Sequence, residues 1–314
     1  MRVFLTGATG FIGSHIVTEL INAGHQVVGL TRSEAGERAL LRAGAQAHRG
    51  DLDHLDSLRA GASGCDGVIH TAFDHDFTHF AANCGKDHRV ILALGEALAG
   101  SDRPLMITSA TPMGMAAANP GGQRATEDYF DADHPNPRKA SELAGIALLD
   151  RGINVSVVRL SQIHDTHKQG LVTEMIKLAR ARGVCAYVGE GLNHWSAAHV
   201  SDTARLYRLA LEKPRAGARY HATAEESIAF RRIAELVAER LGLPAISLPQ
   251  EAAAAHFGWL SAFAGKEMSA SSQATRERLH WQPTGPGLLD SLAQLAPDDR
   301  QPASPVSSGH GLHR

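Results

Sequence analysis

The first thirteen residues constrain this chain more than any other stretch. They read MRVFLTGATGFIG, in which Met1 to Thr6 is an apolar run typical of a buried strand and Gly7, Gly10 and Gly13 follow in G-x-x-G-x-x-G spacing. From Phe11 onwards the apolar residues recur with a helical period. Strand, glycine turn and helix therefore come in the order that a phosphate site at a helix N-terminus requires.

A second apolar strand is predicted at Gln26 to Leu30, which places the glycine turn inside a β-α-β unit. Glycines are needed there because the backbone must turn tightly and a side chain would block an approaching phosphate. A purely structural turn is the weaker interpretation, since every element that the motif needs is present. The segment is therefore interpreted as a dinucleotide-binding site.

The residues after the second strand bear on which dinucleotide is bound. An acidic side chain at this point accepts a hydrogen bond from a ribose 2′-hydroxyl, whereas a basic one suits a 2′-phosphate. The chain has Thr31, Arg32 and Ser33 here. Arg32 therefore favours NADP and leaves NAD open, and the competing interpretation is a solvated arginine at the start of the next helix.

Composition excludes several other classes of function. Acidic and basic residues are interspersed and the formal net charge is −2, so no basic surface for nucleic acid or an anionic membrane is expected. No apolar run approaches the roughly 18 residues of a membrane span. Cys65, Cys84 and Cys185 lack metal-binding spacing and are typical of reduced thiols, so a cytoplasmic location is expected.

Strands and helices alternate along the first half of the chain. Apolar runs predict further strands at Ala45 to His48, Gly67 to Thr71, Leu105 to Ser109 and Asn154 to Leu160, with helical patterns between them. Such alternation predicts an α/β fold with a doubly wound parallel sheet.

Beyond Leu160 the alternation is less regular. The predicted elements are helices at Leu171 to Arg182, Val200 to Leu211 and Phe230 to Leu241, and a strand at Ala218 to Ala222 that returns to the sheet. We expect residues 1–160, joined by 197–222, to form the dinucleotide-binding domain. Residues 161–196 and 223–296 are expected to form a smaller, helix-rich substrate-binding portion. The polar stretch 297–314, rich in proline, serine and glycine, is expected to be disordered.

Short motifs along the chain occur in the order known from one family. They read TGATGFIG, GDL, VIHTA, ITSATPMG, VVRL and AAHVSDTAR, and they extend over roughly Met1 to Asp290. In these motifs the chain resembles the extended short-chain dehydrogenase/reductase family, which includes nucleotide-sugar epimerases and dehydratases and 3β-hydroxysteroid dehydrogenases. The resemblance implies a Rossmann-type sheet that binds NAD(P) and a substrate cleft towards the C-terminal portion. Members of the family often form dimers, so a homodimer is one possible assembly.

The resemblance also implies roles for particular residues. The turn that holds the pyrophosphate corresponds to Gly7, Thr9, Gly10, Phe11, Ile12 and Gly13. The adenine contact corresponds to Asp51 and Leu52, and the loop beside the cofactor to His70, Thr71 and Ala72. Ser109 matches the catalytic serine at the end of the fifth strand, and Thr111 is a second candidate for that hydroxyl.

The catalytic acid departs from the family pattern. The family uses a tyrosine and a lysine four residues apart, so that the ammonium lowers the phenol pKa and also holds the nicotinamide ribose. Lys139 fits the lysine, but Pro135 stands where the tyrosine is expected and cannot exchange a proton. Tyr129 lies ten residues before Lys139, too far to take the place of the family's tyrosine on the same helix. His134 lies one residue before the expected tyrosine position. The chain thus resembles an atypical branch, and an exposed helix lysine is the competing interpretation of Lys139.

The loop after the fourth strand reads AFDHDFTHF, and its His75 and His79 lie four residues apart beside two aspartates. Such spacing also occurs by chance and no further ligand cluster accompanies it, so no metal site is predicted. By analogy with the family, the candidate substrate residues are His75, His164, Asn193, His194 and Trp195. Core packing is the alternative for Trp195.

The sequence therefore indicates an NADP(H)-linked oxidoreductase of the extended short-chain type, acting on the carbonyl or alcohol of a small organic substrate. In this interpretation Ser109 donates a hydrogen bond to a developing oxyanion and Lys139 supplies a positive charge. The missing acid is replaced by water or by one of His75, His134, His164 and His194. An epimerase without net cofactor change and a catalytically inactive NADP-binding sensor or scaffold are the alternatives.

Overall fold

The computed structural model describes residues 1–119 and 121–296. Strands and helices alternate in it as far as residue 160. In the described residues the strands are β1 Arg2–Thr6, β2 Gln26–Thr31, β3 Gln46–Arg49, β4 Gly67–His70, β5 Leu105–Ala110, β6 Val155–Leu160, β7 Gln162–His164, β8 Cys185–Val188, β9 His194–His199, β10 Arg219–Ala222, β11 Glu225–Ala229 and β12 Ala245–Leu248.

The helices pack on both faces of the central sheet and around the C-terminal strands. In the same described residues they are α1 Phe11–Asn22, α2 Glu34–Arg42, α3 Leu55–Ser63, α4 Phe80–Glu96, α5 Lys139–Leu149, α6 Leu171–Arg182, α7 Val200–Glu212, α8 Phe230–Leu241, α9 Ala253–Phe257, α10 Ser261–Ala264, α11 Gln273–Leu279 and α12 Leu288–Leu292. None of them combines the length and the apolar character needed to cross a bilayer.

The central sheet has seven strands in the order β10-β6-β5-β4-β1-β2-β3, and every neighbouring pair is parallel. The predicted doubly wound parallel sheet is thus confirmed, including the strand near Ala218 to Ala222, which pairs with β6 as β10. The order reverses between β1 and β4. In open α/β sheets such a switch point opens a crevice at the carboxyl ends of the strands, where ligands bind.

Strand β1 shows why the apolar runs are continuous rather than alternating. Its Val3 and Leu5 pack with α1 and α7 on one face of the sheet, while Phe4 packs with α3 and α4 on the other. Both faces are therefore buried, which is the rule for parallel sheets covered by helices. Full burial of a side chain such as Phe4 stabilises the fold by about 1.5–3 kcal/mol.

The C-terminal portion contains strands that the sequence did not predict. A three-stranded sheet has the order β11-β9-β7, and β12 pairs with β8. The hydrophobic core of the C-terminal portion includes Trp195 of β9 and Phe230 of α8, whose ring centroids lie 4.7 Å apart. The expected disorder of residues 297–314 lies outside the described residues.

Candidate functional site

The turn between β1 and α1 brings three backbone segments into close contact. Gly7 has a φ of +70°, and a Cβ there would lie 2.7 Å from the Thr71 Oγ1 and 2.8 Å from the Ala72 nitrogen. A Cβ on Gly13 would collide with the Gly7 carbonyl oxygen. Only glycine therefore lets α1 start against the turn while the loop after β4 packs beside it.

No side chain in the described part of the protein caps the N-terminus of α1. Gly10 occupies the N-cap position and the first turn carries no acidic residue. Helix α2 differs, because Ser33 accepts a hydrogen bond from the Gly36 N–H at 3.1 Å. The free amides and positive helix end of α1 suit an anion such as a pyrophosphate, so the residues present fit a dinucleotide.

Arg32 lies between β2 and α2 with its side chain exposed. Within residues 1–119 and 121–296 it makes no ion pair or side-chain hydrogen bond, whereas Arg38, one turn into α2, pairs with Glu34 at 3.7 Å.

The adenine candidates follow β3. One carboxylate oxygen of Asp51 is already used within the protein, because Asp51 Oδ1 accepts the His54 N–H at 3.1 Å. The hydrogen bond from the His54 ring lowers the pKa of Asp51. Leu52 is half-buried against the core.

The end of β5 carries a buried hydroxyl that lacks a partner. Ser109 is 2% exposed, and no hydrogen-bond partner for its Oγ exists among the described residues. Thr111 follows at the start of a short 3₁₀ turn and is also buried. An unsatisfied buried hydroxyl costs about 1–3 kcal/mol, so Ser109 is suited to a partner supplied by a bound molecule.

A buried charge network lies between the carboxyl ends of β4 and β5. Asp87 of α4 accepts hydrogen bonds from Arg138 Nη1 at 2.8 Å and from Ser141 Oγ at 2.5 Å, and its other oxygen lies 2.8 Å from His70 Nε2. Arg138 Nη2 donates to the Thr108 carbonyl at 2.8 Å. Burial would raise the pKa of Asp87, but the charge of Arg138 and these hydrogen bonds hold it at about 2.

The His70 side chain is occupied inside this network. It is 1% exposed, and its Nδ1 lies 2.7 Å from Thr6 Oγ1. The loop that continues from it stays close to the glycine turn, because Thr71 Oγ1 donates to the Thr6 carbonyl at 2.8 Å. Of the loop residues assigned to the cofactor, Thr71 and Ala72 therefore adjoin the glycine turn, whereas the His70 ring is a core contact.

The mouth of the crevice is lined by cations and aromatic rings. The Arg138 guanidinium lies 4.1 Å from the centroid of the Phe73 ring, and the rings of Phe73 and His75 are 5.3 Å apart. On the other side, Lys168 Nζ lies 5.6 Å from the centroid of Phe11, the first residue of α1. Burial and the charges of Arg138 and Lys168 lower the pKa of His75.

The start of α5 decides which basic residue faces this region. Asn136 Oδ1 accepts the Arg138 N–H at 2.9 Å in the turn that precedes α5. Arg138 is buried in the network described above, whereas Lys139 is only half-buried and has no side-chain hydrogen bond or ion pair in the described part of the chain. Pro135 is exposed. The expected ribose contact of Lys139 stays a prediction, and Arg138 is the cation that the sequence did not single out.

Comparison with known proteins agrees with this geometry. A profile of the NAD dependent epimerase/dehydratase family matches residues 3–223, which include the glycine turn and all seven strands of the central sheet. The chain belongs to the NAD-dependent epimerase/dehydratase family. This family lies within the extended short-chain dehydrogenases/reductases and is NAD(P)-dependent, as the motifs indicated.

Individual relatives span nearly the whole chain. An uncharacterised protein of Schizosaccharomyces pombe is 44% identical over 297 residues, covering 94% of this chain and 99% of that protein. A 4-hydroxy-2-methyl-3-oxo-4-farnesyl-3,4-dihydroquinoline-1-oxide ketoreductase of Stigmatella aurantiaca is 26% identical over 272 residues, covering 82% and 80%. The solved structure of a dTDP-glucose 4,6-dehydratase from Streptomyces venezuelae with NAD bound has the same fold, with a TM-score of 0.74 at 19% identity, covering 94% and 95%.

Three of the candidate substrate residues, Asn193, His194 and Trp195, are consecutive at the start of β9. Trp195 is 1% exposed and packs in the C-terminal core. Asn193 donates to the Ala264 carbonyl at 3.1 Å, which ties β9 to a neighbouring loop. His194 Nδ1 lies 3.3 Å from Glu267 Oε2. Trp195 therefore packs in the core, as its alternative interpretation has it, while the substrate roles of Asn193 and His194 stay predictions.

The remaining histidine candidates differ in how far they are enclosed. His164 is fully buried, its Nδ1 lies 2.9 Å from Ser291 Oγ, and burial lowers its pKa to about 4. His134 is buried, and its Nδ1 accepts the Asn136 N–H at 3.1 Å. His79 lies 2.9 Å from Asp76. Among the described residues, no group of three or more His, Cys, Asp or Glu side chains is arranged to hold a metal ion.

Proposed function

We propose that the protein is an NADP(H)-linked oxidoreductase that interconverts a carbonyl and an alcohol on a small organic substrate. The observation that carries this proposal is the buried Ser109 hydroxyl at the end of β5, two strands from the glycine turn, which has no hydrogen-bond partner among residues 1–119 and 121–296. A hydroxyl in that position is placed to donate a hydrogen bond to a substrate oxygen. The ketoreductase from Stigmatella aurantiaca supports the reaction class by its name.

We assign groups of this chain to each part of the dinucleotide. The open N-terminus of α1 and the turn from Gly7 to Gly13 would hold the pyrophosphate, and Arg32 the 2′-phosphate. Asp51 and Leu52 would contact the adenine. When bound, such a cofactor supplies or accepts the hydride, which no amino-acid side chain provides.

The protein's own groups orient the substrate and stabilise charge. Ser109 would donate to the substrate oxygen, while Arg138, held rigidly by Asp87 and the Thr108 carbonyl, keeps a positive charge beside the strand ends. Lys139 stays the predicted ribose contact, since the Arg138 guanidinium already donates to Asp87 and the Thr108 carbonyl. Residues 161–196 and 223–296 would provide the substrate side of the cleft.

Nicotinamide absorbance, followed against a panel of ketones, aldehydes and secondary alcohols, tests this function. We expect turnover of at least one carbonyl with NADPH. Tight NADPH binding without turnover under any condition would instead indicate a sensor or scaffold. Conversion of one substrate into its isomer without net cofactor change would identify an epimerase.

Replacing Arg32 by alanine tests the choice of dinucleotide. We expect Arg32→Ala to weaken NADP binding by about 1–3 kcal/mol, the range of a charge-assisted hydrogen bond, and to leave NAD affinity nearly unchanged. Titration with NADPH and NADH, whose reduced nicotinamide fluoresces, compares the two affinities. Arg38→Ala is the matched control, because Arg38 is exposed nearby but already paired with Glu34. Equal losses for NADP and NAD would contradict the role of Arg32.

A further inference from the structure

Four histidines are candidates for the acid that replaces tyrosine, and the structure separates them. His164 is enclosed in the core beside Ser291, and His194 is paired with Glu267. His134 is buried, with its Nδ1 committed to the Asn136 N–H. His75 alone of the four has an exposed side chain that makes no ion pair with another described residue. It is therefore the candidate whose ring is free to meet a substrate.

The loop that carries His75 begins at the dinucleotide turn. Thr71 donates to the Thr6 carbonyl, and the Ala72 nitrogen lies 2.8 Å from the position that a Cβ on Gly7 would take. Two residues later, Phe73 packs under the guanidinium of Arg138, which itself donates to the end of β5. The His75 ring packs edge-on against Phe73. These contacts place His75 at the mouth of the crevice, above the ends of β4 and β5.

The charged groups that face His75 come from three elements. Arg138 lies at the start of α5, Lys168 lies in the loop after β7, and Asp74 precedes His75 in its own loop. Desolvation of the ring and then the two cations lower the pKa of His75, while the Phe73 backbone and Asp74 raise it. His75 is thus a titratable group held between opposing charges, as proton-transfer residues in active sites commonly are.

The far end of the same loop is anchored to the C-terminal portion. Phe77 stacks on Trp259 with ring centroids 4.4 Å apart and an angle of 9° between the planes. Phe77 also packs against Phe80 at the start of α4. The loop therefore bridges the two sides of the crevice with His75 between its anchors, and the position of the imidazole is set from both ends.

We propose that His75 exchanges the proton with the substrate oxygen, in the role for which the family employs tyrosine. This inference rests on the proposed function. In the direction of reduction, an N–H bond of the imidazolium breaks and the O–H bond of the alcohol forms. The carbonyl π electrons become the lone pair that accepts this proton, and the carbonyl carbon would gain its new C–H bond from the hydride that NADPH supplies when bound. Oxidation reverses both transfers, and His75 then accepts the alcohol proton.

The test compares His75→Gln with His79→Gln. Both histidines lie in one loop, but His79 is exposed and paired with Asp76, so its variant controls for the loss of an imidazole. We expect His75→Gln to lower kcat by about 10²- to 10⁴-fold, the range of general acid–base catalysis, while NADPH affinity is retained. His79→Gln should keep the wild-type kcat.

The pH profile provides a readout that a structural role would not change. As the imidazolium is the acid, the rate of reduction should fall as pH rises through the pKa of His75. Lys168→Met removes one of the cations that lower this pKa, so the falling limb should move to higher pH. Proton NMR of the His75 ring in both proteins, without any substrate, should show the same upward displacement.

The outcomes separate this inference from the function on which it rests. If the wild type reduces a carbonyl and His75→Gln does so equally well with an unaltered pH profile, His75 is not the acid, although the oxidoreductase stands. If the wild type binds NADPH and turns over nothing, both are overturned. If the pKa of His75 is the same in Lys168→Met as in the wild type, this result would also contradict the proposed placement of His75.

Discussion

Replacing Asp87 by asparagine is expected to reduce the free energy of unfolding by about 3–5 kcal/mol. The carboxylate is 3% exposed and is the counterion of buried Arg138, so its neutralisation leaves a guanidinium charge in the interior without compensation. Urea unfolding followed by circular dichroism measures the change. Asp56→Asn is the control, because Asp56 belongs to an exposed pair with Arg59 and should show no measurable effect.

The same carboxylate predicts how stability depends on pH. Its pKa is lowered from 3.8 to about 2 in the folded state, so ionised Asp87 stabilises the fold above about pH 3.8 and this stabilisation is lost as pH falls towards 2. The wild type should therefore lose stability over this interval more steeply than Asp87→Asn. Parallel curves for the two proteins would show that the network does not depend on the charge of Asp87.

Replacing Ser109 by alanine is expected to lower turnover by about 10²- to 10³-fold, the loss found when one oxyanion donor is removed, with NADPH affinity close to the wild-type value. The stability of the free protein should be maintained or increased, since the hydroxyl has no hydrogen-bond partner in the described residues. Steady-state kinetics and thermal unfolding measure the two effects.

A second serine controls for the loss of a buried hydroxyl. Ser196 is 1% exposed, and its Oγ donates to the Met268 carbonyl at 2.9 Å. Ser196→Ala should cost stability without lowering kcat, which is the reverse of the result expected for Ser109→Ala. Unchanged activity in Ser109→Ala would remove this hydroxyl from the mechanism.

The parallel sheet could be predicted from the sequence because its strands are local apolar runs separated by helices. The start of α5 was harder, since neighbouring residues on a helix differ by about 100° in direction. Ser141 and Glu142 are both buried. Counting back three residues reaches Arg138 from Ser141 and Lys139 from Glu142. The helical period therefore leaves both basic residues open, and the packing of α5 against α4 decides which of them is enclosed.

Asp87 could also have been found from periodicity. It lies three residues before Val90 and four before Ile91 on the buried face of α4. An acidic residue on an apolar face requires a buried partner, but the sequence does not say which cation supplies it. That pairing joins residues 51 positions apart and depends on how α4 and α5 pack.

The site contacts that bridge the crevice have no local signal. Phe77 and Trp259 stack although they are far apart in the sequence. Lys168 lies in an irregular loop and approaches Phe11 at the start of α1. The strands β7 and β9 were equally hidden, because QIH and HWSAAH are short and mix polar with apolar residues. Such elements are determined by tertiary packing rather than by propensity.

The Phe77–Trp259 stack makes the protein its own fluorescent reporter. The chain has three tryptophans, of which Trp195 and Trp281 are 1% and 0% exposed, whereas Trp259 is 42% exposed. Iodide in solution should therefore quench Trp259 and spare the other two. Since Phe77 covers one face of this indole, any motion that lifts the His75 loop will increase quenching, and movements of the crevice mouth can be timed in the unlabelled protein.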